Sequence, residues 1–436
     1  MAQAAVVVGA GAAGLSAALA LREHGLEPLL IDAEDRAGGK LGTDSRRGFL
    51  LERAALGILD RSGELAELCA TLGVSPKPAS AAASLRFVER NGTVYALPRG
   101  PREALLTGLL TAREKIALLG EPFRRPAPED SNVAGFFAHR LGAGGRFIGD
   151  AIQTGILAGD PDRLEARTAF PTLYGLALSG KGSLIRGALA RRGAGKKKPR
   201  ARLTSFAGGM QELVDALARR TKPVLKTRLV GIRGAAPRFR LQVESAGVAT
   251  DIEAERVIIA VPASRAAGPL SALAPDLARR LRQLKAAPVS LVHLVVAPEE
   301  VAPLHRGFGL LRPGRPVLGA LFPAALWPDR APQDRVLLSA LVGGARHPDA
   351  AARPDEDLVH LVRDELHLRA VPQLLHVVRW SEAIPQYERG HGARIAEIER
   401  LTAAHPGLEL AGAWYRGVGV LDCLRDGRRA AKSLVK

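Results

Sequence analysis

Cysteine is almost absent. Cys69 and Cys423 are the only two in 436 residues, too few for a disulfide framework or a thiolate metal quartet, and the expected compartment is reducing. Aromatic residues are also sparse, at 3 Trp, 4 Tyr and 11 Phe, so each one inside a motif stands out. Long apolar runs are missing. Residues 1–21 carry no charged side chain, but no basic segment precedes them and glycine recurs within them, which argues against a signal peptide. Elsewhere no window reaches the ~18 uninterrupted apolar residues of a membrane-spanning helix. Nothing repeats internally, and no spacing of His, Cys, Asp or Glu defines a metal site, so no metal is expected.

Acid is short relative to base: 44 Asp+Glu against 62 Lys+Arg leave a net charge of +18. Such a field favours anionic lipid, nucleic acid or an acidic small molecule. A GC-rich coding background, in keeping with the excess of arginine and alanine, accounts for the same bias. No nucleic-acid motif or aromatic-interleaved basic strand accompanies the charge, so no nucleic-acid partner is expected. Residues 191–202 hold seven basic side chains and no acid. They read either as a solvated loop or as an attraction to anionic membrane, at about 1 kcal/mol per basic residue.

What the chain does have begins at its N-terminus. Val6-Val7-Val8 runs into Gly9-Ala10-Gly11-Ala12-Ala13-Gly14; a helical stretch follows from Leu15 to His24, and a second apolar strand, Pro28 to Ile31, closes on Asp32. The glycine pattern stands in its required context, strand before and helix after, with an acid roughly 20 residues on. Gly9 permits the tight turn, Gly11 lets backbone approach a pyrophosphate, and Gly14 lets the helix pack closely. The helix N-terminus offers N–H groups to phosphate, and Asp32 can accept from a ribose hydroxyl. Arg36-Ala37-Gly38-Gly39-Lys40 adds a glycine turn suited to backbone approach.

The length predicts two or three domains. A helix is expected over 62–72, and a hairpin with Asn91-Gly92 at its turn between strands at 85–88 and 93–97. Residues 101–190 read as mainly helical, with amphipathic segments at 102–119 and 132–141. A helix from Met210 to Arg220 follows, with strands at 223–232, 238–243 and 252–261. Strands at 289–296, 308–311, 317–322 and 335–342 suggest a separate sheet. Helices are expected over 356–368 and from near Cys423. A nucleotide-binding fold split by a long insertion follows.

Four later segments narrow the expectation: Ala158-Gly159-Asp160-Pro161, Thr204 to Leu213, Ala383-Ile384-Pro385-Gln386-Tyr387-Glu388-Arg389-Gly390-His391, and Trp414-Tyr415-Arg416-Gly417-Val418-Gly419-Val420-Leu421-Asp422-Cys423. With the N-terminal fingerprint, they closely resemble the FAD-dependent protoporphyrinogen oxidase family, whose coproporphyrinogen-oxidising branch shares them. More distantly, the architecture is similar to amine oxidases and phytoene desaturases. The resemblance implies an α/β fold: a discontinuous Rossmann-like FAD-binding domain (1–80, 203–262 and 383–436), a mixed-sheet substrate-binding domain (263–382) and a mainly helical, membrane-facing subdomain (81–202). It also implies a monomer or homodimer in the cytoplasm, peripheral on the inner face of the cell membrane. The implied chemistry is oxidation of protoporphyrinogen IX to protoporphyrin IX in haem synthesis, by repeated hydride transfer to flavin N5. Oxygen would reoxidise the flavin, and no protein residue is assigned a catalytic role.

Residue by residue, the resemblance gives Gly9, Ala10, Gly11, Ala12, Ala13 and Gly14 the FAD pyrophosphate, and Asp32 with neighbouring Ala33 the ribose. Gly39 and Lys40 form the next contact. Backbone at Leu229, or at Val230, meets the adenine, and Trp380 lies along the flavin. Val418, Gly419 and Val420 present backbone N–H groups to the flavin pyrimidine or to the pyrophosphate. For the substrate, Arg86 matches a family arginine that binds a propionate, a role for which its forked guanidinium is suited; a hairpin arginine facing solvent is the alternative. Leu311 and Trp327 match apolar walls around the macrocycle, or are core residues of a sheet. Gly155 matches a backbone position facing the ring. His391, Asp160 and Asp422 read as structural, and Cys423 as a buried helix-start residue.

The sequence departs from the family pattern at three places. Glu52-Arg53-Ala54-Ala55-Leu56-Gly57 replaces a glycine-proline-polar-polar turn beside the flavin, Ala413 stands for a usual glycine or asparagine, and Ala177 for a frequent Glu. Coproporphyrinogen III oxidation is the first alternative function, and a non-catalytic FAD- or porphyrin-binding paralogue the second.

Overall fold

The computed structural model describes residues 3–193 and 202–435, so most of the basic run at 191–202 lies outside the described residues. At the centre is a parallel four-stranded sheet in the order Leu408–Leu410, Val257–Ile259, Val6–Val8, Leu29–Ile31. Three of these strands are runs of Val, Ile and Leu because both faces are covered, while the edge strand Leu408–Leu410 carries Glu409. One face packs on helices Ala12–Glu23, Met210–Thr221 and Val420–Leu434, through Leu15, Leu19, Leu213, Leu217 and Leu424. The other packs on an antiparallel meander (Thr227–Ala235, Arg238–Ser245, Val248–Ala254) and on helices Ala263–Ala267, Pro275–Leu281 and His391–Ala403.

A mixed seven-stranded sheet stands beside it, in the order Gln373–Gln386, Lys285–Val296, Val336–Gly343, Val317–Leu321, Gly309–Leu311, Arg86–Arg90, Thr93–Ala96. Helix Asp355–Glu365 covers one face through Leu358 and Val362. A helical lobe follows the hairpin. Its core gathers Phe136, Phe137, Phe170 and Tyr174, with Phe136 and Phe137 in edge-to-face contact at 5.5 Å. Among the described residues, no helix is long and apolar enough to cross a membrane.

The structure redraws several expected boundaries. The segment expected as one strand at 252–261 is two: Val248–Ala254 ends the meander, and Val257–Ile259 enters the parallel sheet. Between them, Arg256 turns the chain by donating to the Ala4 and Leu434 carbonyls. The helical segment at 102–119 breaks into Pro101–Leu106 and Ala112–Leu119, because Thr111 and Glu114 form a capping box. The hairpin at Arg86–Ala96 joins the large sheet rather than the helical lobe, pairing Gly309–Leu311 in parallel. Residues 263–281 pack against the parallel sheet, as Ala263, Ala266, Leu277 and Leu281 complete the core around Val6 and Ile259.

The lobe encloses one ion pair completely. Glu121 and Arg140 both have side chains with 0% exposure. The Glu121 carboxylate accepts from Arg140 Nε (2.9 Å), Ser183 Oγ and the Leu184 and Ile185 N–H groups. Glu121→Ala would leave a guanidinium buried without its anion, so unfolding by denaturant is expected to show a loss of about 3–5 kcal/mol.

Candidate functional site: a glycine-lined dinucleotide cradle

The first strand ends in a turn that tolerates no side chain. Gly9 sits at φ +102°, and a Cβ on Gly14 would overlap its carbonyl oxygen. The helix axis therefore starts close against the strand end. Gly11, the residue before this helix, supplies no side-chain cap, and the first turn carries no acid. The N–H groups of Ala13 and Gly14 have no acceptor among the described residues and point out of a helix N-terminus. Gly38 (φ +104°) and Gly39 (φ +57°) close the cradle, with the Gly38 N–H donating to the Ala10 carbonyl at 2.8 Å. This donor set, open to an anion, fits a pyrophosphate.

Asp32 lies at the end of the second strand. Its carboxylate accepts from the Ala10 and Glu34 N–H groups, and burial raises its pKa from the usual value. Ala33 beside it is exposed. Leu229 packs into the core, whereas Val230 is the unpaired residue of a bulge between Leu229 and Gly231 and is 43% exposed. Of the two expected positions, Val230 is thus the exposed one.

At the opposite end of the cradle, Val418 and Val420 have N–H groups with no acceptor among the described residues. Gly419 differs from expectation: its N–H donates to Asp422 Oδ2 at 3.3 Å, a helix cap. Asp160 likewise caps a turn, accepting from the Asp162 N–H at 3.0 Å. Lys40 reaches across to the second sheet, donating to the Ala383 carbonyl at 2.7 Å and to that of Glu382. Burial lowers its pKa to about 8. Cys423, nearby, is pushed up to about 12 by burial, so it is an inert thiol rather than a nucleophile.

The segment 52–57 is pinned from three sides. Glu52 is buried, accepting from Thr43 Oγ1 at 2.6 Å and from the Met210 N–H at 3.3 Å; burial pushes its pKa up to about 7 against the pull of Thr43 and Arg330. Trp380 Nε1 donates to the Arg53 carbonyl at 2.8 Å, and the Arg53 guanidinium lies over its ring. Leu56 is buried against Leu326 and Trp327. Trp327 is 0% exposed, and its Nε1 donates to the Lys77 carbonyl. Trp327 is therefore a core residue with no face open to a ligand, the second of its two expected places and not the macrocycle wall. The departures at Leu56 and Ala177 follow from packing: Leu56 fills the Trp327 core, and Ala177 lies in the aromatic core of the helical lobe.

On the substrate side, Gly155 is exposed and Leu311 half-buried, and the two meet directly: a Cβ on Gly155 would stand 3.2 Å from the Leu311 side chain. Arg86 is exposed and has no carboxylate partner among the described residues. Its guanidinium sits 4.7 Å over the Phe308 ring, and desolvation lowers its pKa from the usual value. Phe308 escaped the sequence reading as a site residue, although in a chain this poor in aromatics its place at the start of the expected strand at 308–311 was an available signal; Glu52 entered only as the head of the 52–57 segment, and nothing local marked its burial.

A glycine-cradled dinucleotide site on a parallel sheet, facing a second sheet across Lys40 and Trp380, defines a flavoprotein oxidoreductase architecture. The family model for flavin containing amine oxidoreductases matches residues 12–435, and the chain belongs to that family. It is an oxidoreductase whose cofactor is FAD. It is 29% identical to coproporphyrinogen III oxidase of Bacillus subtilis over 98% of this chain and 96% of that one. It is 28% identical to the mitochondrial protoporphyrinogen oxidase of Nicotiana tabacum over 98% and 94%. In fold it matches cyclohexylamine oxidase from Brevibacterium oxydans with a TM-score of 0.73 at 18% identity, covering 100% and 99% of the two chains.

Gly14→Ala is expected to yield protein purified without the flavin absorbance of the parent, because the added methyl drives the helix off the strand end. Titrating FAD into apoprotein should show affinity falling as pH rises above about 8, where the Lys40 ammonium loses its proton. Lys40→Met should bind FAD more weakly at low pH and lose that dependence.

Proposed function

We propose that the protein oxidises a porphyrinogen to the porphyrin in haem biosynthesis, with protoporphyrinogen IX as its substrate. The observation that carries this is likeness along nearly the whole chain to two enzymes named for porphyrinogen oxidation, at 29% and 28% identity. Bound FAD supplies the two-electron acceptor, which oxygen would regenerate. Arg86, free of acid and backed by Phe308, binds a propionate as a forked cation. Leu311 lies flat against the macrocycle, and Gly155 leaves room for it beside that wall. The parallel-sheet body serves as FAD domain, and the seven-stranded sheet and helical lobe as the two walls of the substrate site. Coproporphyrinogen III is a second reading, favoured by the Bacillus subtilis relative.

Membrane association belongs to the same proposal. Leu106, Ile116, Leu119, Phe123 and Leu178 are 76, 71, 60, 85 and 63% exposed, all within the helical lobe. Arg113, Lys115, Arg124 and Arg186 are interspersed, with Arg186 over the Phe123 ring. Apolar side chains among basic ones suit a helix bundle lying in the headgroup region of an anionic bilayer at the cytoplasmic face.

Side-by-side assays of porphyrin fluorescence on both porphyrinogens test the substrate; faster turnover of coproporphyrinogen III would reverse the ranking, and flavin without turnover of either would favour a non-catalytic paralogue. Arg86→Leu should raise KM by roughly ten- to a hundredfold, the worth of a charge-assisted bond of ~1.5–3 kcal/mol. Phe123→Asp combined with Leu119→Asp should abolish co-sedimentation with anionic vesicles while leaving the flavin spectrum intact.

A further inference from the structure

The stretch from Gly412 to Gly419 joins the edge strand Leu408–Leu410 to the last helix, and it carries the unpaired Val418 N–H at the FAD end of the cradle. Gly412 (φ +129°) and Gly417 (φ +135°) both take conformations that disfavour a side chain, so the loop has a specific shape rather than a relaxed one. A single hydroxyl bridges its two limbs. Tyr387 OH donates to the Ala413 carbonyl at 2.6 Å and accepts from the Gly417 N–H at 2.9 Å. From below, Asp426 Oδ2 accepts from the Gly412 N–H at 2.9 Å.

Tyr387 does not belong to the loop or to the parallel sheet. It stands just beyond strand Gln373–Gln386, and its neighbours tie the same point to the substrate side. Gln386 Nε2 donates to the Leu157 carbonyl at 2.9 Å, at the end of the helix that carries Gly155, and the Glu165 N–H donates to the Tyr387 carbonyl at 2.8 Å. The phenol is held in place by stacking: its ring lies 4.1 Å from that of His391, with planes 14° apart. His391 contributes only this surface, since both of its ring nitrogens are buried without a hydrogen-bond partner. With Tyr387 4% exposed, water is a poor substitute for the bridge.

We propose that Tyr387 is a positioning residue whose hydroxyl sets the spacing of the two limbs of the 412–419 loop, and so the direction in which the Val418 and Val420 N–H groups meet FAD. The hydroxyl does not touch the substrate and moves no proton in the reaction. The proposal rests on the FAD assignment alone and stands whichever substrate the enzyme oxidises.

Tyr387→Phe removes the oxygen and keeps the ring on His391. FAD titrated into the apoprotein is expected to bind roughly tenfold more weakly, the effect of losing two neutral hydrogen bonds to a preorganised loop. The visible circular dichroism of the bound flavin is expected to change as well, and apoprotein melting to stay within a few degrees of the parent. His391→Phe, which keeps the stacked surface, is expected to leave both FAD affinity and the flavin signal unchanged. Tyr387→Phe binding FAD within twofold of the parent, with an unaltered flavin signal, would overturn the proposal. So would loss of the folded apoprotein, since the hydroxyl would then serve the core and not the loop.

Discussion

The contact between Gly14 and the Gly9 carbonyl is the constraint from which the cofactor end of the molecule is built. It brings the first helix against the strand end with no side chain between them. The opposite flank of that helix is equally bare: a Cβ on Gly427 of the last helix would overlap the Ala13 carbonyl. Held between two glycines and buried from Ala13 to Leu21, the helix has no freedom to slide or rotate. Its N-terminal donors, the Asp32 carboxylate and the Gly38 turn thereby acquire fixed relative positions. The last helix is located by the same contact, and with it the Val418 and Val420 donors some distance away in sequence but adjacent in space.

Strand Gln373–Gln386 and the residues after it join the remaining parts. It pairs along Lys285–Val296 in the large sheet, lends Trp380 to the 52–57 segment, and offers backbone carbonyls to Lys40. Beyond its end, Gln386 and Tyr387 fasten the helical lobe and the 412–419 loop. The large sheet, the 412–419 loop and the helical lobe therefore share one piece of chain. A rigid seam of this kind keeps the two reacting partners in register, which matters when a reaction depends on orientation more than on acid–base groups.

Much of the cofactor site was legible in the sequence because its rules are local. Gly9, Gly11 and Gly14 are required by turn geometry, and an acid closing the second strand is required by the ribose, whatever the rest of the chain does. The hairpin at Asn91-Gly92 and the helices at 64–72 and 210–221 were legible for the same reason. The seam strand was not: Gln373 to Gln386 alternates only partly, carries Arg379 and Glu382, and contains Pro385, so neither period-two patterning nor composition marks it. The fate of Trp327 was also illegible, since a wall residue and a core residue look alike until the neighbouring layers are present. The division at Glu255-Arg256 depended on carbonyls at Ala4 and Leu434, far away in the chain.

Leu56 and Trp327 share one enclosed volume with Leu326. Neither residue can change independently. A polar side chain at 56 would face an indole whose N–H already donates to the Lys77 carbonyl, and a smaller residue at 327 would leave a cavity beneath Leu56. Substitutions at the two positions are therefore expected to be coupled, each depending on what fills the other side of the shared volume.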